Sequence, residues 1–238
     1  MITPPNDYSI HGFREDDLSV LRSNYLFRQM ADSDLLRVVS VLNGSLKSYD
    51  RGQLLHHAGT VMKQFGLVLS GMVQACIDDI EGNRMIMVEV TPGITFGESL
   101  CFLRVEDSPV YIYATEPVRV LWLSVEPMFT GTQPLSRDLQ KRFTSVLAMR
   151  NLSMNNRIQV LSKPKLRDRL ITYFSQLASV QNSDIIRLPL NRNDMATYIG
   201  SNRSALSREL SAMKRDGYID FHRNTVRLLQ MQRTDLLF

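Results

Sequence analysis

The 238-residue sequence is poor in the features that mark three broad classes of protein. It has two cysteines, Cys76 and Cys101. A secreted disulfide scaffold or a thiolate-ligated cluster needs more, so both read as buried small hydrophobes and no iron–sulfur cluster is expected. No apolar run approaches the ~20 residues of a membrane span, and the first stretch, MITPPNDYSIHGF, lacks a basic segment followed by an apolar one. Cytoplasmic residence without a membrane partner is therefore expected. Also missing are a P-loop, a Ser-His-Asp order, a metal-spacing cluster and a plausible carboxylate pair, so no catalytic residue, no metal ligand and no enzyme activity are expected.

What is present is enough apolar residue, 44 %, for one large or two small cores. The net charge of +4 conceals a division. Residues 137–238 carry 18 Lys+Arg against 8 Asp+Glu, a net of +10, whereas the preceding residues carry 10 against 16, a net of −6. A basic carboxy-terminal half is the electrostatic footprint of a polyanion binder.

Within that half, SNRSALSRELSAMKRDG, from Ser201 to Gly217, has an N-cap residue at Asn202 and an apolar stripe at Leu206, Leu210 and Met213. Opposite the stripe lie Ser204, Ser207, Arg208, Ser211 and Arg215, with Arg203 on the flank. Arginines and short hydroxyls on one helix face suit the major groove, where guanidinium bonds guanine O6 and N7. A solvated amphipathic helix would show the same stripe; its surroundings argue otherwise. Upstream, Asn191 to Ile199 reads as a short helix, capped by Asn191 with Asp194 in a capping box, buried through Met195, Ala196 and Ile199, and closed by Gly200. Two such helices across a glycine turn make a helix-turn-helix. Downstream, Tyr218–Phe221 and Thr225–Leu229 alternate around His222-Arg223-Asn224, a hairpin wing with Arg223 at its tip. Expected base contacts are Arg203, Ser204, Ser207 and Arg208; expected phosphate contacts are Lys163, Lys165, Arg167, Arg192 and Arg223. Arg169 belongs to the same cationic cluster at the start of a helix over Leu166–Leu177.

In the acidic part, short helices are expected over Asp17–Asn24 and Asp32–Val41. Alternating segments then follow at 46–49, 53–57, 65–69, 72–77, 85–90, 110–114 and 119–124, separated by turn residues, which predicts a jelly roll or sandwich of seven or eight strands. Thr95-Phe96-Gly97-Glu98-Ser99-Leu100 reads as a small turn between strands. From Leu135 to Ser162 there is no strand signal, and Leu139, Phe143, Val146, Leu147, Met154, Ile158 and Leu161 recur at spacings of three and four. So long a helix exceeds what one small domain covers, so part of its stripe is expected to meet a twin. Lys163-Pro164-Lys165 breaks it and is the hinge candidate.

The order of these parts, carried by HHAGTVMKQFGLVLSGMVQACIDDIEGNRMIMVEVTPGITFGESL, the long helix and NRNDMATYIGSNRSALSRELSAMKRDGYI, resembles the CRP/FNR family of bacterial transcription regulators over nearly the whole chain. The resemblance implies an α+β protein: a cyclic-nucleotide-binding-like jelly roll in an effector-sensing domain (1–134), a dimerisation helix (135–162) and a winged helix-turn-helix DNA-binding domain (163–238). It implies a homodimer on an inverted-repeat site in double-stranded DNA, with RNA polymerase an expected partner of an activator. Arg208 and Ser207 match the Ser-Arg pair at the centre of the family's reading helix, but Ser204 stands where nucleotide- and oxygen-sensing members carry Glu, so their half-sites do not carry over. Gly97 and Glu98 match the turn that receives a cyclic nucleotide's ribose. Ser108 and Pro109 occupy the positions of the phosphate-binding Arg-Ser, with Arg104 four residues early, so cyclic AMP is not the expected effector. The expected pocket for an unidentified small molecule comprises Phe96, Gly97, Glu98, Ser99, Ser108, Tyr111, Met154 and Asn155, with Leu100, Phe102 and Tyr113 as further lining. A haem-based gas sensor is the alternative, with His11, His56, His57 and His222 as candidate ligands; His56 and His57 would face opposite sides of one strand. A sensing module that acts on a protein partner without DNA is the rival from another class.

Overall fold

A computed structural model of the chain describes residues 12–229; His11 lies outside the described residues. The chain divides into two compact units, 1–147 and 148–238, with the boundary inside its longest helix.

The first unit opens with α1 (Glu15–Ser23) and α2 (Asp32–Val41) and continues through β1 (Ser45–Tyr49), β2 (Leu54–His56), β3 (Phe65–Ser70), β4 (Val73–Asp78), β5 (Arg84–Val90) and β6 (Thr95–Phe96). Helix α3 (Glu98–Leu103), strands β7 (Tyr111–Ala114) and β8 (Val118–Leu123) and helix α4 (Glu126–Thr130) complete it. The eight strands form two four-stranded antiparallel sheets, ordered β1-β8-β3-β6 and β2-β7-β4-β5. Alternation decides which face of β7 is inside, with Ile112 and Ala114 entering the core, whereas β3 and β8 are covered on both faces, so that adjacent Leu67 and Val68, and adjacent Val120 and Leu121, are all buried. The core thus lies between the sheets, as expected of a jelly roll. Arg119 on β8 fixes α1 against it through two bonds to the buried Asp17, 2.7 and 2.9 Å long.

The segment after Phe96 departs from the expected turn. Gly97 takes φ +77°, and Glu98–Leu103 coils into one and a half turns of helix before Arg104 ends it, also left-handed at φ +49°. Six residues are too few for a helical period to show in sequence. Helix α4 was not foreseen either.

Helix α5 (Pro134–Leu161) crosses the boundary between the units: Leu139 and Phe143 belong to the first core and Val160 to the second. The second unit continues with α6 (Leu166–Gln181), β9 (Ile185–Arg187), α7 (Arg192–Ile199), α8 (Arg203–Arg215), β10 (Ile219–His222) and β11 (Thr225–Leu228). Helix α6 runs past the expected Leu177 because Ala178 is still buried, and it stops at Asn182, left-handed at φ +47°. The three strands form an antiparallel sheet, β10-β11-β9. Their core gathers Leu170 and Phe174, Met195 and Ile199, Leu206, Leu210 and Met213, and Ile219 and Val226.

Candidate functional site

The second unit builds its exposed face from two capped helices. Asn191 accepts backbone N–H bonds from Asn193 and Asp194 at 2.9 and 3.0 Å, which ends the search of two orphan donors at the start of α7. Asp194 takes the side-chain amide of Asn191 at 2.6 Å rather than reaching back to its backbone, so the reciprocal half of the expected capping box is absent. Gly200 makes the turn at φ +70°, and Asn202 accepts from Ala205 N at 2.8 Å to start α8. The stripe Leu206, Leu210 and Met213 is buried to within 2 %. That anchors α8 with Ser204, Ser207, Arg208, Ser211 and Arg215 on its exposed side and Arg203 exposed at its first turn. None of Arg203, Arg208 and Arg215 forms an ion pair with another described residue.

The expected phosphate contacts separate into two groups. Lys163, Lys165 and Arg223 are exposed and without ion pairs among the described residues, Arg223 standing at the tip of the β10–β11 hairpin. Arg167 is engaged inside the unit: Nε donates to Glu209 at 2.6 Å, Nη1 lies 2.7 Å from Asp216, and the guanidinium sits 5.5 Å from the Tyr218 ring centre. Two carboxylates neutralise it, and it fastens α6 to α8. Arg192 also turns inward: it donates to the Arg223 carbonyl at 3.1 Å, lies 5.4 Å from the Phe221 ring centre, and burial pulls its pKa down. Both guanidiniums are therefore only partly exposed and engaged within the unit, unlike Lys163, Lys165 and Arg223. Arg169, grouped with them by sequence, donates to the carbonyls of Lys163, Ile199 and Gly200 at 2.7, 3.2 and 3.0 Å, satisfying backbone acceptors between α5 and α6 and at the end of α7.

The first-unit residues expected to line an effector pocket fall in different surroundings. Phe96 is buried and points at Gly66, where an added Cβ would lie 2.2 Å from the ring; it meets Trp122 edge-on at 5.4 Å. A Cβ on Gly97 would lie 2.1 Å from the Met62 sulfur. The space around both residues is thus filled by the protein's own side chains. Glu98 is 2 % exposed, and its charge sits at the positive end of α3. Ser108 is buried, accepting from Val110 N at 3.3 Å through Oγ, whereas Ser99 is exposed. Tyr111 lies on the other face of its sheet. Ile112 and Ala114 take the core side of β7, so Tyr111 and Tyr113 project outward, stacked at 6.4 Å. There Tyr111 donates to Asp78 at 2.7 Å and accepts from Arg84 at 3.0 Å, beside an open groove of about 580 Å³ shared with Leu54 and His57. Phe102 is 43 % exposed and packs at a tilt against Phe129, ring centres 5.0 Å apart, instead of lining the roll. Met154 and Asn155 belong to the second unit and are exposed there.

For haem, His56 is the buried candidate, with Nε2 shielded and without a hydrogen-bond partner among the described residues. Burial, then neighbouring His57, hold its pKa below the usual imidazole value. The cavity beside it measures about 230 Å³, below the range of about 300–1,000 Å³ usual for cofactor sites, so the surroundings of His56 do not fit a porphyrin. His57 and His222 are exposed. Among the described residues no group of three or more His, Cys, Asp or Glu side chains is arranged to hold a metal ion, and no helix is long and apolar enough to cross a membrane.

A jelly-roll domain followed by a basic winged helix-turn-helix defines a class, the transcription regulators that couple a sensing domain to a DNA-binding one. The family comparisons agree: the cyclic nucleotide-binding domain matches residues 46–129 and the Crp-like helix-turn-helix domain matches residues 168–233. Transcriptional regulator SdrP of Thermus thermophilus is 25 % identical over 170 residues, covering 69 % of this chain and 79 % of its own. Among solved structures, the Thermus thermophilus catabolite activator protein is 21 % identical, covers 86 % of this chain and 93 % of its own, and superposes with a TM-score of 0.50. CprK complexed with OCPA is 18 % identical, with coverage of 82 % and 90 % and a TM-score of 0.53. The chain belongs to the CRP/FNR family of transcription regulators, a family of DNA-binding proteins and not of enzymes.

Proposed function

We propose that the chain acts as a homodimer whose two α8 helices read an inverted repeat in successive major grooves, under control of a small effector sensed by the jelly roll. The observation that carries the reading is α8 itself: a capped helix, anchored by three buried side chains, that presents Arg203, Ser204, Ser207 and Arg208 to solvent with no ion pair to another described residue. Base edges are read by Arg208, Arg203 and the two serines; Lys163, Lys165 and Arg223 hold the backbone. Met154, Ile158 and Leu161 recur at i, i+4 and i+7 on α5, exposed by 65, 60 and 39 %. An apolar stripe on a helix face seeks a partner, and a second copy of α5 supplies one of the same pattern. Function therefore divides the chain into a sensing domain (1–134), a dimerisation helix (135–162) and a DNA-binding domain (163–238). RNA polymerase is the further partner of such a regulator when it activates, and its setting is the cytoplasm.

Cyclic AMP is not the effector in this reading. No guanidinium stands at Ser108 and Pro109, and Arg104 lies 3.7 Å from Glu126 at the surface instead. An organic molecule acting at Gly97 must displace Met62 or Phe96, and it gates DNA binding only through its differential affinity for the two states.

The test is selection of duplexes from a random library on purified protein, followed by gel shift and mass measurement of the complex. Enrichment of an inverted repeat bound by two chains is expected. Failure to enrich any duplex would leave the protein-partner module as the better reading, and a haem absorption band in the purified protein would overturn the organic effector.

A further inference from the structure

Arg192 occupies the first position of α7, where a cation would ordinarily be free to meet a DNA phosphate. Its guanidinium goes elsewhere. Nη2 donates to the carbonyl of Arg223 at 3.1 Å, the guanidinium carbon lies 5.4 Å from the centre of the Phe221 ring, and Nη1 is out of solvent with no hydrogen-bond partner among the described residues. A nitrogen shielded from water is shielded equally from a phosphate oxygen.

The turn that Arg192 holds is the tip of the wing. His222 and Thr225 form the last pair of the β10–β11 hairpin, leaving Arg223 and Asn224 beyond it. Arg223 sits at φ +51°, a region that a residue with a β-carbon enters only when its surroundings enforce it. Both carbonyls of the tip are bonded from outside the hairpin: Leu188 N donates to Asn224 O at 2.8 Å, and Arg192 donates to Arg223 O. A two-stranded hairpin is marginal by itself, so outside bonds decide where its tip stands. Of the two, only the Arg192 bond comes from the helix-turn-helix.

We propose that Arg192 is a positioning residue: it fixes the wing tip relative to α7 and α8, so that Arg223 meets the DNA backbone when α8 is seated in the groove, and it does not itself touch DNA. The proposal rests on the reading of Arg223 as a phosphate contact. It explains why a half-buried arginine, engaged within the unit, is used at a position where a free cation would add charge. A planar fork can lie on the Phe221 ring and still aim one N–H at a carbonyl, which an ammonium does less well.

The experiment is a double-mutant cycle on the full chain: the unaltered protein, Arg192→Ala, Arg223→Ala and the double variant, titrated by fluorescence anisotropy into a selected inverted-repeat duplex at several KCl concentrations. The active fraction of each is set by stoichiometric titration, so partial unfolding does not enter the affinity. Arg223→Ala should weaken binding to specific and random duplexes alike and flatten the salt slope by about 0.9 per protomer, the share of one phosphate contact. Arg192→Ala should reproduce both changes, and the double variant should bind within about 2-fold of Arg223→Ala, as non-additivity through a shared element requires. A further loss of slope in the double variant would make Arg192 a contact in its own right and overturn the proposal, as would unchanged binding by Arg192→Ala. If Arg192→Ala does not fold, Arg192→Lys run through the same cycle reads the same coupling. An Arg223→Ala variant with unaltered affinity and slope would instead remove the wing contact on which the proposal stands.

Discussion

Arg208→Ala measures whether α8 reads sequence. The side chain is exposed and forms no ion pair with another described residue, so its loss breaks nothing inside the protein. The helix should survive, because Leu206, Leu210 and Met213 still anchor it and alanine is a better helix former. A good bidentate contact to a base contributes about 1–3 kcal/mol of discrimination. An unrestrained, exposed arginine gives back roughly 0.5–1.5 kcal/mol when it is immobilised, so the net value should fall in the lower half of that range, about 1–2 kcal/mol per half-site. Two half-sites make about 2–4 kcal/mol, roughly 30- to 1,000-fold in affinity for the selected repeat. Fluorescence anisotropy at one fixed salt concentration, on the selected repeat and on a scrambled duplex, separates the roles. Arg208→Ala should lose that factor on the repeat, lose little on the scrambled duplex, and accept substitutions at one base pair per half-site. Lys165→Ala should instead weaken both duplexes by the same factor. Equal losses on both duplexes for Arg208→Ala, or a loss below about 3-fold on the repeat, would refute the assignment of base reading to this residue.

Three further outcomes follow from the packing. Arg167→Ala should lower the melting temperature, because it removes the guanidinium that ties α6 to Glu209 and Asp216, while leaving the salt slope of DNA binding unchanged; a flatter slope would restore Arg167 to the DNA surface. Gly66→Ala puts a methyl group within 2.2 Å of the Phe96 ring and should cost about 1–3 kcal/mol by overpacking, read by chemical denaturation; a variant as stable as the parent would mean that Phe96 is free to leave its seat. His56 has its pKa lowered by burial, so the unfolded chain binds its proton first as the solution is acidified. Its contribution to stability is therefore complete above the ordinary imidazole value near pH 6.5 and declines as pH falls from there toward the lowered folded value. Melting curves between pH 8 and 5 should show a decline that His56→Leu reduces, and an identical pH dependence in the variant would show that other groups carry it.

Local signals survive into the structure wherever one element's own residues decide its form. Asn191 and Asn202 cap because their side chains reach amides two or three residues on, and Leu206, Leu210 and Met213 fall on one face because helical geometry puts them there. Seven of the eight strands of the first unit were legible from their own residues and the turns that bound them, whereas β6, only Thr95–Phe96, was hidden in a stretch that read as a turn. The helix over Glu98–Leu103 was not: it is short, and it follows a glycine that read as a plain turn. The outward aim of Tyr111 was obscured by another limit. Alternation shows that Tyr111 and Ile112 face opposite ways but not which way is in, and the packing of Ile112 and Ala114 settles it.

Cations were the least legible residues, because a guanidinium's fate depends on partners distant in sequence. Arg167 meets Glu209 after 42 residues and Arg192 meets the Arg223 carbonyl after 31, and nothing within a helical turn of either announces the encounter. The net of +10 over residues 137–238 is correct as a count but overstates what a phosphate backbone would meet. Arg167 is matched by two carboxylates and Lys214 by Asp220, while Arg169 and Arg192 serve backbone carbonyls. A charge pair close together presents little field beyond a Debye length, so the field in front of α8 comes chiefly from cations without an ion pair, among them Arg203, Arg208 and Arg215 on the helix and Lys163, Lys165 and Arg223 elsewhere in the same unit. Composition alone announces a polyanion binder; the division of labour among its arginines, some framing the reading surface and some forming it, is decided by the fold.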